Sequence, residues 1–197
     1  MEKKQFSTYD EQITFLEKEK GLIISNKEYA KKILLKIGYF PLINGYKEIF
    51  KEPTNNQFQK GTSFEDIYEL YDFDNNLRNI FIKYILLAER NIKSSLSYHF
   101  CKEYGDLQSD YLNVNNYERL QIPKEKGRYT YGKNDLYAQV IILKLLLSTE
   151  DFHKFFHDLK MCFKKHSIHK EILGKMGFPE NWQRIGRIKN YIKSEIL

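Results

Sequence analysis

Cysteine is nearly absent from this 197-residue chain: Cys101 and Cys162 stand far apart, without metal-ligand spacing. Two unpatterned cysteines argue against a disulfide framework and suit a reducing cytosol. Proline is almost as scarce, with four residues, and glycine numbers ten, so long helices meet few interruptions. Long hydrophobic runs are missing too. The most apolar stretches, 80–88 and 136–147, contain Lys83 and Lys144 and fall short of the ~20 residues that a membrane span needs. No basic head, apolar run and cleavage site come together near residue 1, so no secretory signal is expected. A cytoplasmic location away from membranes follows. There is no phosphate-cradling glycine loop, zinc ligand set or serine-hydrolase elbow, and hence no expected metal or cofactor. Strand alternation is nowhere sustained, and no repeat is visible.

What remains is an ordinary globular composition, 42% apolar and 29% charged. A chain of this length can bury a substantial core and suits a single domain spanning residues 1–197. Its net charge of +6 is uneven. Residues 1–100 are close to neutral. After residue 159, Lys160, Lys164, Lys165, Lys170, Lys175, Arg184, Arg187, Lys189 and Lys193 face only Glu171, Glu180 and Glu195. A concentrated positive surface favours a polyanionic partner, because each neutralised phosphate releases counterions; a solvated helix face has the same composition.

Helix signals are frequent, and the expected fold is all-α. Thr8 with Glu11 and Ser25 with Glu28 have capping-box spacing, each ahead of an apolar-periodic stretch. These N-terminal helices, over 8–50, stop at Gly21 and Gly38, and the second carries Tyr29, Ile33 and Ile37 on one stripe. A polar loop follows over 51–61. From Ser63 to about residue 104 there is neither proline nor glycine. Apolar residues recur there at helical steps: Ile67, Leu70, Phe73, Leu77, Phe81, Ile85, Leu96. The spacing predicts one long central helix, or two with a bend near 74–76, inside a helical bundle that covers its stripe. Residues 105–133 read as an irregular, tyrosine-rich segment and 134–197 as C-terminal helices, the last two short.

His99 stands near the end of the long helix with Arg90 and Lys93 upstream. A histidine beside a cation is what metal-free RNA cleavage uses: imidazole moves protons while the cation stabilises the pentavalent phosphate. A terminal histidine offsetting the helix dipole would look the same. His153 and His157 share a helix face, but their context reads as an ordinary amphipathic helix. His166 and His169 read as plain surface residues. The chain holds 15 tyrosines and 14 phenylalanines, more than its core needs. Tyr111, Tyr117, Tyr129 and Tyr131 are therefore candidates for stacking on unpaired bases, with core aromatics under a loop as the alternative. With them, Lys93, Arg128, Lys133, Lys164, Lys165, Lys170, Arg184, Arg187 and Lys189 make up the expected RNA-contacting set.

Residues 37–50 (IGYFPLINGYKEIF), 58–100 (FQKGTSFEDIYELYDFDNNLRNIFIKYILLAERNIKSSLSYHF) and 176–182 (MGFPENW) resemble the Abi-like family of AbiD and AbiF proteins. Gly38-Tyr39, Gly61-Thr62-Ser63-Phe64 and Tyr71-x-Phe73-Asp74-x-x-Leu77-Arg78 occur in one order, which is more specific than any one of them alone. The resemblance implies abortive infection or toxin–antitoxin-like defence against phage and a HEPN-like helical fold. It also implies a small structured noncoding RNA as partner and a homodimer in any member that cleaves RNA. As a metal-independent HEPN endoribonuclease, the chain would use Arg90, Asn91 and His99. The spacer between Arg90 and His99 is longer than HEPN nucleases typically have. Nine helical steps place the two on opposite faces, ~13.5 Å apart along the axis. Three readings are carried forward: an RNA-binding defence protein, that endoribonuclease, and a protein-interaction scaffold sensing a phage component.

Overall fold

The computed structural model describes residues 6–117, 135–166, 173, 174, 176–178 and 182. Among these the fold is all-α, and its only β pairings are two isolated bridges. The chain divides into two compact units, Met1–Arg78 and Asn79–Leu197.

In the first unit, α1 (Tyr9–Lys18) opens on the expected capping box: the Glu11 N–H donates to Thr8 Oγ1 (3.3 Å) and the Thr8 N–H to Glu11 Oε2 (2.7 Å). Helix α2 (Lys27–Ile37) is capped by Asn26, whose Oδ1 accepts from the Tyr29 N–H at 2.9 Å. Ser25 was the expected cap, but the helix begins at Lys27, which leaves Ser25 one residue outside the capping position. Ion pairs from Lys31 to Asp10 (2.6 Å) and Lys27 to Glu17 (2.7 Å) tie α2 to α1. After Gly38 the chain makes a π-helical turn, Phe40–Asn44, with Pro41 in its first turn, and runs into α3 (Gly45–Phe50).

The polar loop after α3 is pinned across its base. Lys51 bridges Phe58, the Glu52 N–H donates to Gln57 O (3.0 Å) and the Gln59 N–H to Phe50 O (2.8 Å). The core of this unit joins Leu16, Leu34, Leu42, Ile43, Phe64 and Ile67, with Tyr29, Ile37, Tyr39 and Tyr46 packed against it.

Helix α4 (Phe64–Tyr104) runs 41 residues without a break, so the single-helix expectation holds. The division between the units falls inside it. Its apolar stripe is covered through Ile67, Leu70, Phe73, Leu77 and Phe81, but Ile85 is 46% and Leu96 66% exposed, contrary to expectation. Periodicity specifies a face and not the presence of a cover, and α7 reaches α4 only at Phe81, Lys83 and Tyr84 among the described contacts.

The second unit continues with α5 (Gln108–Leu112), a 3₁₀ turn (Val114–Asn116), α6 (Asp135–Leu146) and α7 (Thr149–Lys165). Residues 105–117 thus hold more regular structure than expected. Gly105, at φ 105°, turns the chain out of α4, and a Cβ there would run into the Asp110 carboxylate. Asp110 in turn accepts from the Leu107 N–H at 3.1 Å.

Helix α7 is amphipathic, burying Phe152, Phe155, Phe156, Leu159, Cys162 and Phe163 and leaving His153 and His157 exposed. Ser148 caps it, accepting from the Asp151 N–H (3.1 Å). Trp182 packs edge-on against Phe156, Phe163 and Phe178, with ring centroids 5.0–5.7 Å apart. His166, expected at the surface, is 3% exposed. It follows α7 directly, where its N–H still bonds to Cys162 O (3.2 Å). The two short C-terminal helices expected last fall almost wholly outside the described residues.

Candidate nucleic-acid interface

The last turns of α4 gather charge and rings in one place. Every residue from Glu89 to His99 is exposed, on all sides of the helix. Arg90 and Asn91 project from this stretch, and Lys93 pairs with Glu89 at 2.6 Å. This i,i+4 pair is exposed on both partners, so it holds Lys93 only weakly against a competing phosphate.

His99 lies edge-on to Tyr98, with ring centroids 5.4 Å apart. Because α4 is unbroken, nine steps of ~100° and ~1.5 Å keep Arg90 and His99 on opposite faces and ~13.5 Å apart along the axis. Asn91 and His99 are ~12 Å apart on the same count. One chain does not bring the expected catalytic residues together.

Directly after His99, Phe100 is the centre of an aromatic cluster. Tyr111 stacks on it at 4.6 Å and 15° between ring planes, Tyr117 at 5.7 Å and 26°, and Tyr104 lies tilted at 5.0 Å. Local hydrogen bonds fix these rings. Tyr117 Oη donates to Tyr111 O (2.7 Å), Asn116 Nδ2 donates to Asp110 O (3.0 Å), and Cys101 Sγ meets Tyr111 Oη at 2.9 Å. The Cys101 contact, opposed in part by Ser97, holds the Tyr111 phenol above its ordinary value, so it stays neutral. Tyr111 and Tyr117 keep 38% and 50% of their surface open. An exposed, pre-stacked ring face is a platform that any base can extend. Phe100 and Tyr104 were not singled out from sequence. Their one sequence signal is the i,i+4 step between them, which is as common in a buried stripe.

The other expected contact residues divide. Lys164 and Lys165 are exposed in the last turn of α7, close in sequence to Lys160, whose ammonium lies 4.6 Å from the Phe156 ring centroid. Arg128, Tyr129, Tyr131, Lys133, Lys170, Arg184, Arg187 and Lys189 lie outside the described residues. Among the described residues no group of three or more His, Cys, Asp or Glu side chains could hold a metal ion. No described helix is long and apolar enough to cross a membrane.

Beside the charged stretch runs an apolar groove of about 410 Å³ between α4 and α6, lined by Ile85, Ala88, Ile92, Ile142, Leu143 and Leu146. Glu89 and Lys93 stand on its α4 wall.

Among the described residues the chain is all-helical, with a long central helix whose exposed end carries Arg90, Lys93, His99 and a ring cluster. The chain belongs to the Abi-like protein family, whose profile matches residues 32–192. No curated protein and no solved structure matches it. Family membership points to abortive infection, a form of defence against phage.

Proposed function

We propose that the chain is an RNA-binding protein of abortive infection, holding a small structured noncoding RNA in a toxin–antitoxin-like complex. The carrying observation is the end of α4, where Arg90, Lys93 and His99 stand in a fully exposed stretch directly before the stacked Phe100–Tyr111–Tyr117 rings. Cations take the phosphates and exposed rings take unpaired bases, the combination by which single-stranded and looped RNA is recognised. Lys164 and Lys165 add positive charge in the same unit. Sequencing the nucleic acid that co-purifies with the full chain at low salt tests this reading. One enriched structured transcript is the expected result. A preparation free of nucleic acid, and indifferent to added RNA, contradicts it.

A second reading needs two copies, because the unbroken α4 keeps Arg90 and His99 apart within one chain. A HEPN-type ribonuclease site would take Arg90 and Asn91 from one copy and His99 from another. The apolar groove that Glu89 and Lys93 flank, open among the described residues, offers such a homodimer a surface to bury. On this reading the chain sediments as a dimer, and His99→Ala abolishes RNA cleavage and growth arrest while leaving RNA binding intact. A monomer at all concentrations, or equal toxicity of the alanine variant, contradicts it.

A further inference from the structure

Residues 37–50, part of the sequence signature, stand outside the proposed RNA-contacting set, yet four of them wall a cleft in the first unit. Tyr39, Ile43 and Lys47 follow one another at steps of four through the π-helical turn into α3 and share a face, with Asn44 beside them. Leu16 and Lys20 come from the end of α1, and Lys51, Asn56, Gln57 and Phe58 from the pinned loop. Three segments thus bring three lysines, each only partly exposed, round one opening floored by Leu16, Ile43 and Phe58.

The lysine heads are held by local contacts. Lys47 Nζ donates to Asn44 Oδ1 (2.8 Å), and Lys20 Nζ lies 5.3 Å from the Phe15 ring centroid. Among the described residues the one carboxylate within ion-pair distance of the three is Glu48, 3.8 Å from Lys51 and 71% exposed. Glu52 lines a neighbouring concavity with Glu48 and Lys51, and does not line this one. Partly buried ammonium groups in excess over carboxylates favour an anion. Burial raises the Tyr39 phenol, which stays protonated and can donate, and Asn56 and Gln57 bring neutral amides.

The cleft has room for a small anion. The cleft measures about 50 Å³, against roughly 10–15 Å³ for a single water on the same measure. A tetrahedral oxyanion is of this size. Three lysines against Glu48 leave two positive charges, which match a phosphate dianion.

We infer that this cleft binds a phosphate group, as inorganic phosphate or as the terminal phosphate of a nucleotide or RNA, on Lys20, Lys47 and Lys51. The site is separate from the end of α4 and does not rest on RNA being held there.

The test titrates inorganic phosphate into the full chain by calorimetry and thermal unfolding, with chloride at matched ionic strength as reference. Phosphate is expected to bind saturably and to raise the melting temperature beyond chloride. Lys47→Gln is expected to weaken it about tenfold, and Lys47→Arg to restore most of the affinity. Lys154→Gln, in the other unit and paired with Glu150, is expected to leave it unchanged. Lys51→Gln, on the loop, decides the matter should Lys47→Gln fold poorly. Equal effects of phosphate and chloride, or unchanged phosphate affinity in a folded Lys47→Gln or Lys51→Gln chain, overturn the inference. Competition by a nucleoside 5′-monophosphate, and by one RNA oligomer carrying either a 5′-phosphate or a 5′-hydroxyl, identifies the source. Displacement by the phosphorylated oligomer alone assigns the site to an RNA end. Displacement by the monophosphate alone assigns it to a small molecule. Either result supports a phosphate site and is independent of Tyr111 or Lys93.

Discussion

At the scale of single residues, polar contacts place side chains that are distant in sequence as well as close ones. Tyr46, in α3, reaches Asp74 of α4 with a hydrogen bond of 2.6 Å, and Arg78 pairs with the same carboxylate. Burial and the Asp74 bond push the Tyr46 phenol far above its ordinary value, so it remains a donor. Its ring packs edge-on against Tyr71 at 5.7 Å. Tyr46→Phe keeps the ring contact and removes a donor to a charged acceptor. The variant is expected to lose about 1–2 kcal/mol in urea unfolding, whereas Asp74→Asn with Tyr46 intact should cost less than Asp74→Ala. Asp74 and Arg78 were legible in the sequence as an i,i+4 pair. Tyr46 was not, because nothing local marks a tyrosine 28 positions away as the third member.

At the scale of elements, α4 shows what helical periodicity can and cannot say. The stretch free of proline and glycine after Ser63, where the Ser63 N–H and hydroxyl both bond to Asp66 (2.8 and 2.7 Å), made one continuous helix readable. The same spacing placed Ile85 and Leu96 on a buried stripe, which the described helices do not cover. The Phe100 cluster was half visible. Tyr111 and Tyr117 stood out as tyrosines in a polar segment, but the ring they stack on belongs to the preceding helix. The lysine cleft was invisible, since Lys20, Lys47 and Lys51 meet only through the turn that follows Gly38 and the loop pinned at Phe58.

The contact between α4 and α7 carries a prediction about pH. Asp158 accepts from Lys83 Nζ and Tyr84 Oη, both at 2.9 Å, beside Tyr84 and Phe81 packed on Phe155. Burial pushes the Asp158 carboxyl up, but the two hydrogen bonds and the Lys83 charge outweigh it, and the group titrates below an ordinary aspartate. Its contribution is therefore fully present above the unfolded aspartate value and is lost as the pH falls through the folded one. Lys83, raised mainly by its bond to Asp158, contributes below the ordinary lysine range and loses that contribution as the pH rises through its folded value. Both groups are substantially exposed, so the effect is modest, up to about 1 kcal/mol. Asp158→Asn is expected to flatten the fall in stability between about pH 5 and pH 2 relative to the parent chain. An unchanged acid limb in urea titrations at several pH values would show that this contact contributes nothing.

At the scale of the whole molecule, the membership in the Abi-like family and the all-α architecture agree with what the motifs implied. The net charge of +6 acts through its placement. Much of the expected contact set lies beyond the described residues, and its described part is the end of α4, Tyr111 and Tyr117 after it, and the last turn of α7. RNA held there by phosphate contacts must respond to salt in a set way, because each single-strand phosphate neutralised contributes about 0.7 to the slope of log affinity against log salt. The most direct measurement is that slope for the full chain and for the double variant Arg90→Gln, Lys93→Gln, using the same RNA. The account predicts a steep negative slope in the parent, made shallower by about 1.4 in the double variant, with weaker binding at low salt. A parent affinity that hardly changes with salt, or a double variant with the parent's slope and affinity, would contradict it.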